Sequence, residues 1–202
     1  MNSIEFYKSL ENMESKESIE KFLLFNSSLV IANIKPSVTV NIKKNQGENY
    51  KNWLEYGEDF LVKVNLNYII LRENDNAIIL LIYKDELLKN HIFKEKNRKF
   101  LNQIGYADIN NIKYYIELLK IRYQIYKCPH ELGVFLGIPV EDVIDFMDCN
   151  EKKCLGCGYW KIYNNYDEAI EIFKKYDEVK FKTASDLIKG VSIDKIISNI
   201  SF

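Results

Sequence analysis

The order of apolar and polar residues along the chain predicts four short strands. Residues 37–42 alternate between apolar and polar positions with the two-residue period of a strand. Residues 67–73 and 77–83 are rich in β-branched and aliphatic residues, and the Asn-Asp-Asn turn between them predicts a hairpin. Residues 158–164 (GYWKIYN) alternate as well. Because residues 77–83 are apolar on both faces, we expect them to form a central strand.

Longer segments show the spacing of amphipathic helices. Apolar residues recur every three to four positions in residues 85–104, 110–126 and 167–176, and each pattern places one apolar stripe against a core. Helices mixed with strands that pair mostly antiparallel predict an α+β fold with a small sheet near residues 37–42, 67–73, 77–83 and 158–164. Since the 202 residues contain no repeat and no Pro/Gly-rich linker, we expect a single domain over residues 1–202.

Residues 129–148 have the spacing of a helix-turn-helix corner. Gly133 supplies a small residue where two helices cross, Gly137 supplies the turn residue, and Val143 packs back from the second helix. Pro139 suits the start of that second helix. The remaining apolar positions are filled by Leu132, Leu136, Ile138 and Phe146.

The charge of this corner argues against a role in sequence-specific DNA binding. The would-be recognition helix carries Glu141, Asp142, Asp145 and Asp148, whereas DNA binding needs cations beside the phosphates. The net charge is −1 and only three of the basic residues are arginines, so neither nucleic acid nor an anionic membrane is an expected partner. A structural corner is the favoured interpretation.

The cellular compartment affects how the cysteines are interpreted. The first residues lack the basic flank and apolar run of an export signal, and no apolar run is long enough to span a bilayer. We therefore expect a cytoplasmic protein, in which thiols stay reduced and a disulfide framework is not expected.

Three cysteines form the strongest candidate for a site. Cys154 and Cys157 form a CxxC whose flanking glycines let two thiolates converge on one metal ion, and Cys149 is a candidate third ligand. Cys128 or His130 is a candidate fourth ligand if the corner folds back. Zinc or iron fits thiolate ligands. A reversible dithiol and cysteines that are buried as small apolar side chains remain the alternatives.

The last predicted strand suggests an interaction surface. Alternation turns Trp160 and Ile162 toward the core, while Tyr159, Lys161 and Tyr163 share the more exposed face, where they could contact a protein partner. Under this alternative the protein is a non-catalytic interaction module with inert cysteines.

An enzyme acting on a small molecule is a third class. Its candidate acid–base pair is His130 and Glu131.

The segments that carry these features also carry a family resemblance. PHELGVFLGIPVEDV (129–143) and CGYWKIY (157–163), followed by Ala169, Phe173 and Tyr176, resemble the family from anaerobic Gram-positive bacteria known as domain of unknown function 3793. This chain departs from the family pattern at Cys128, where we expect an aromatic residue, and at Ile138, where a tyrosine is usual.

The resemblance supplies no assigned activity. The association of the family with iron-uptake and flavodoxin genes implies a link to metal or redox physiology. We therefore expect an accessory protein whose cysteine cluster (Cys149, Cys154, Cys157) takes part in metal or redox physiology, with a protein as the expected partner.

Overall fold

A three-stranded antiparallel sheet lies at the centre of the fold, in a computed structural model that describes residues 3–10, 13–45, 48–148 and 152–200. Its strands are β1 (Ser37–Lys43), β2 (Asn67–Glu73) and β3 (Ala77–Tyr83), paired in the order β1–β3–β2. The first three predicted strands and the central position of the third are confirmed.

The two faces of β3 contribute to two separate hydrophobic clusters. Ile78, Leu80 and Ile82 pack into one cluster, together with the inward residues of β1. Leu81 packs into the other cluster, together with Leu71 of β2. Because both faces of β3 are covered, it reads as a continuous apolar run in the sequence.

A layer of helices covers each face of the sheet. The first layer contains α1 (Ser3–Leu10), α2 (Ser15–Ile31), α3 (Asn49–Asn52), α4 (Glu58–Lys63), α10 (Tyr166–Ile188) and α11 (Ile193–Ile200), with a π-helical turn over Trp53–Gly57 between α3 and α4. The second layer contains α5 (Asp85–Ile92), α6 (Glu95–Gln103), α7 (Ile112–Tyr126), α8 (Leu132–Phe135) and α9 (Val140–Met147). The α+β class is confirmed, and the expectation of one domain stays a prediction. No helix in the described part of the chain is long and apolar enough to cross a membrane.

Two of the predicted helices have different bounds. The helix expected over 85–104 is divided into α5 and α6 near His91, whose carbonyl accepts a hydrogen bond from Asn97 Nδ2 at 2.8 Å. The ring nitrogen His91 Nε2 lies 3.2 Å from the same amide, and His91 is half-buried at this junction. The helix expected over 167–176 continues to Ile188 as α10.

The predicted corner at 129–148 is present as α8, a turn and α9. Gly137 has φ +81° and therefore takes the conformation that favours glycine. A Cβ added to Gly133 would lie 2.9 Å from Val143 Cγ2, so the two helices touch where the sequence predicted. The prediction that Phe146 fills an apolar position between the helices is wrong, because this residue is 42% exposed and does not fill the core.

The fourth predicted strand is wrong in length and in partner. In place of residues 158–164, two-residue strands β4 (Gly156–Cys157) and β5 (Lys161–Ile162) pair with each other and form a separate small hairpin. The three-stranded sheet gains no further strand from this segment.

Candidate functional site

The hairpin over residues 154–162 carries the CxxC. Gly156 pairs with Ile162 and Cys157 pairs with Lys161. Leu155 N–H donates to Ile162 O at 2.8 Å, and Gly158 N–H donates to Trp160 O at 3.0 Å to close the turn. Both cysteines are therefore placed by a short hydrogen-bonded hairpin.

Two glycines hold the hairpin close to α10. A Cβ at Gly156 would lie 2.8 Å from Tyr166 Cε2, and a Cβ at Gly158 would lie 2.3 Å from Phe173 Cε2. Both distances are shorter than the contacts that real Cβ atoms make. The hairpin backbone can therefore lie this close to the two rings only if residues 156 and 158 are glycines. Neither glycine has a positive φ. Gly158 also closes the turn, but the role that the sequence did not reveal is the close packing of both glycines on α10.

A buried carboxylate fixes the end of the hairpin. Asp142 of α9 is 2% exposed, and its Oδ2 accepts from Trp160 Nε1 at 2.8 Å. Its Oδ1 accepts from the backbone N–H of Tyr163 at 3.0 Å, the backbone N–H of Asn164 at 2.9 Å and Asn164 Nδ2 at 3.0 Å. The donors that a longer strand would use are satisfied by this side chain, which explains why the predicted strand stops at Ile162.

The predicted orientation of Trp160 and Ile162 is confirmed. Trp160 is 8% exposed and Ile162 is fully buried. The Trp160 ring meets Phe173 of α10 edge-on, with 4.5 Å between centroids. The hairpin is thus anchored to α9 through Asp142 and to α10 through aromatic rings.

The cysteine side chains lie on the outside of this anchored segment. Cys154 and Cys157 are exposed free thiols, as is Cys128, and Cys154 Sγ lies 3.1 Å from Gly156 O. The interpretation that these cysteines are buried apolar residues is wrong. Cys149 lies outside the described residues. Within the described part of the chain, no three His, Cys, Asp or Glu side chains are grouped so that they could hold a metal ion.

His130 is not brought together with the thiols in a ligand group among the described residues. Its imidazole is exposed and meets Phe146 edge-on at 5.4 Å between centroids. The neighbouring Glu131 is 2% exposed and forms an ion pair with Arg122 of α7. A buried, paired carboxylate and an exposed imidazole do not face one substrate, so the candidate acid–base pair is not assembled.

The three predicted interaction residues differ in exposure and in the contacts that their side chains already make. Tyr159 is 39% exposed, and its hydroxyl donates to Asp177 Oδ1 at 2.9 Å, while burial of the ring and this carboxylate raise the pKa of the phenol. The ammonium of Lys161 is exposed and lies 5.5 Å from the Phe146 centroid. Tyr163 is half-buried. Their role as an interaction surface stays a prediction.

A groove of about 260 Å³ lies between the corner and the hairpin. Leu132, Leu136, Ile138 and Val143 line it from the corner, and Trp160 lines it from the hairpin. Two segments that stood out in the sequence, 129–143 and 157–163, therefore meet in space.

The sequence did not reveal the role of Asp142, which was counted only among the four carboxylates of the would-be recognition helix. The signal was available, because Asp142 lies between Val140 and Val143 on a helix with a buried apolar side. An acid on that side requires hydrogen-bond donors.

A second feature that the sequence did not reveal is a pair of half-buried lysines, Lys35 and Lys180. Lys180 Nζ lies 4.4 Å from the Phe25 centroid and donates to Asn26 O at 3.3 Å, so it joins α10 to α2. Burial lowers the pKa of Lys180 to about 7, with a smaller contribution from the charge of Lys35. Burial also lowers the pKa of Lys35 to about 8. Because its ammonium already donates to backbone carbonyls, Lys180 acts as an anchor.

The chain belongs to the family described as "Protein of unknown function (DUF3793)", whose model matches residues 23–197. The match covers most of the chain and confirms the family resemblance. No curated protein and no solved structure matches the chain.

Proposed function

We propose that this is a cytoplasmic accessory protein that binds a soft divalent metal ion, zinc or ferrous iron, through the thiolates of Cys154 and Cys157. The proposal rests on one observation: both thiols are exposed on a hairpin whose other side is fixed by buried contacts. An exposed cysteine contributes little to packing, while a rigid support lowers the entropy lost when two ligands converge on one ion.

The same geometry favours metal binding over a reversible dithiol. Cysteines of redox-active CxxC pairs usually lie at a helix N-terminus, where the helix dipole lowers the thiol pKa. Here Cys157 lies in β4, and the next helix, α10, begins only at Tyr166.

The test is the metal content of protein purified anaerobically and without a histidine tag. The wild-type protein is expected to retain zinc or iron, and Cys154→Ser and Cys157→Ser are expected to lose it. Cys128→Ser is the matched control, because Cys128 is also an exposed free thiol but precedes the corner. Cys149→Ser measures the contribution of the third cysteine of the predicted cluster.

Cobalt provides a second readout, because thiolate ligands give Co²⁺ an intense near-ultraviolet charge-transfer absorption that oxygen ligands such as serine do not give. Wild-type protein without bound metal in every preparation, and without an absorption change when cobalt is added, refutes the proposal.

The groove beside the hairpin favours a second candidate, a non-catalytic module that binds a protein partner. Phe146 and Tyr159 line this groove and are 42% and 39% exposed. Partner binding that survives Cys154→Ser and is lost in Phe146→Ala would support this candidate and identify the cysteines as inert.

A further inference from the structure

Among the described residues, the metal site proposed above has two ligands, Cys154 and Cys157. Structural zinc is almost always held by four protein ligands in tetrahedral geometry. Cys154 and Cys157 supply two, and no third His, Cys, Asp or Glu joins them among the described residues. A closed site on this hairpin therefore needs two ligands from beyond the described residues of one chain.

The exposed side of the hairpin is open to a second molecule. Gly156 and Gly158 lie against Tyr166 and Phe173, so α10 occupies one side of the hairpin. Leu155, between the two cysteines, is 52% exposed. A second hairpin that approaches the thiols would also cover this leucine, which adds an apolar contact beside the metal.

Charge favours contact between two copies only when the metal is bound. Lys153 immediately precedes Cys154 and is exposed, so two approaching hairpins without metal bring like charges together. One divalent cation with four thiolates has a net charge of −2, and two Lys153 side chains balance it. Lys152 already pairs with Asp145 at 2.6 Å and contributes less.

We propose that one zinc or ferrous ion bridges two copies of this chain, with Cys154 and Cys157 of each copy as its four ligands. This inference rests on the proposed function. Four thiols lose their protons when the ion binds, and no electron is transferred. The partner is thus a second copy of the same chain, and assembly depends on the metal.

The experiment adds zinc stepwise to metal-free, reduced, tag-free protein and measures mass by light scattering after size-exclusion chromatography. The expected result is saturation at one zinc for two chains, with the mass doubling from 23.9 kDa and returning to that value when a chelator is added. Cys154→Ser and Cys157→Ser are expected to stay monomeric. Cys128→Ser and Cys149→Ser are expected to dimerise like the wild type.

Each other outcome is decisive. One zinc bound to each monomer overturns the bridge and leaves the proposed function standing. Loss of the dimer in Cys149→Ser also overturns it, because a third ligand from the same chain is then required. A dimer that forms without metal, or one that the Cys154→Ser variant retains, shows that assembly does not depend on the metal and overturns the bridge. Absence of zinc binding in the wild type refutes the bridge and the proposed function together.

Discussion

Asp142→Asn tests the anchor of the hairpin. Asp142 Oδ1 accepts three hydrogen bonds and Oδ2 accepts one, from Trp160 Nε1 at 2.8 Å. Asparagine has the same shape but only one acceptor oxygen. Whichever way its amide is turned, an N–H group faces at least one N–H donor.

The magnitude follows from these four bonds. If the asparagine oxygen stays at the Oδ1 position, the buried Trp160 indole N–H loses its acceptor, which costs about 1–3 kcal/mol. The three remaining bonds become bonds to a neutral acceptor, and charge-assisted bonds are roughly twice as strong as neutral ones. All three donors belong to two half-buried residues, Tyr163 and Asn164, which water can reach. We expect a total loss of about 2–4 kcal/mol in the free energy of unfolding.

The assay is urea unfolding followed by far-ultraviolet circular dichroism, combined with Trp160→Phe in a double-mutant cycle. Phenylalanine has no indole N–H, so the cost of Asp142→Asn is expected to fall by about 1–2 kcal/mol in that background. Asp145→Asn is the control. It removes the charge that pairs with Lys152 but keeps an oxygen that can accept from Asn164 Nδ2, and is expected to cost less than about 1 kcal/mol. Equal costs of Asp142→Asn in both backgrounds would refute the reasoning.

Three further predictions concern the core, the corner and the pH dependence. Trp160→Ala is expected to lower the free energy of unfolding by ~3–5 kcal/mol, and an unchanged melting temperature would show that the ring is not core. Gly133→Ala forces a Cβ to 2.9 Å from Val143 Cγ2 and is expected to cost about 1–3 kcal/mol, much of which Val143→Ala restores; failure of that rescue in urea unfolding contradicts the contact. Burial, with a smaller effect of a nearby lysine, lowers the pKa of His91 in the folded protein to about 4. Below pH 6.5 the unfolded chain therefore binds more protons than the folded chain, and the free energy of unfolding falls as the pH drops from 6.5 toward 4. Urea titrations across that range are expected to show roughly 2–3 kcal/mol of this loss in the wild type and in His130→Gln, whose histidine is exposed, but a reduced loss in His91→Gln.

Local patterns determined the central sheet and the helical corner. The strands over 67–73 and 77–83 were predictable because alternation and a turn between them are properties of neighbouring residues. The corner was predictable for the same reason, since Gly133 and Val143 contact each other within one short segment. The spacing of Trp160 and Ile162 also sufficed to assign their inward orientation.

Contacts between distant segments decided the rest. The strand expected over 158–164 ends at Ile162 because Asp142, about twenty residues earlier, takes the backbone donors that a strand partner would use. The alternation of apolar and polar residues within a strand contains no information about a hydrogen-bond acceptor from a distant segment.

The same limit applies to the cysteines. Their spacing indicated ligand chemistry, but only the packing of Gly156 and Gly158 on the rings of α10 decided that the thiols lie outside. Sequence thus determined which residues are candidate metal ligands. The tertiary structure decided their exposure, because burial depends on which distant side chains occupy the opposite face.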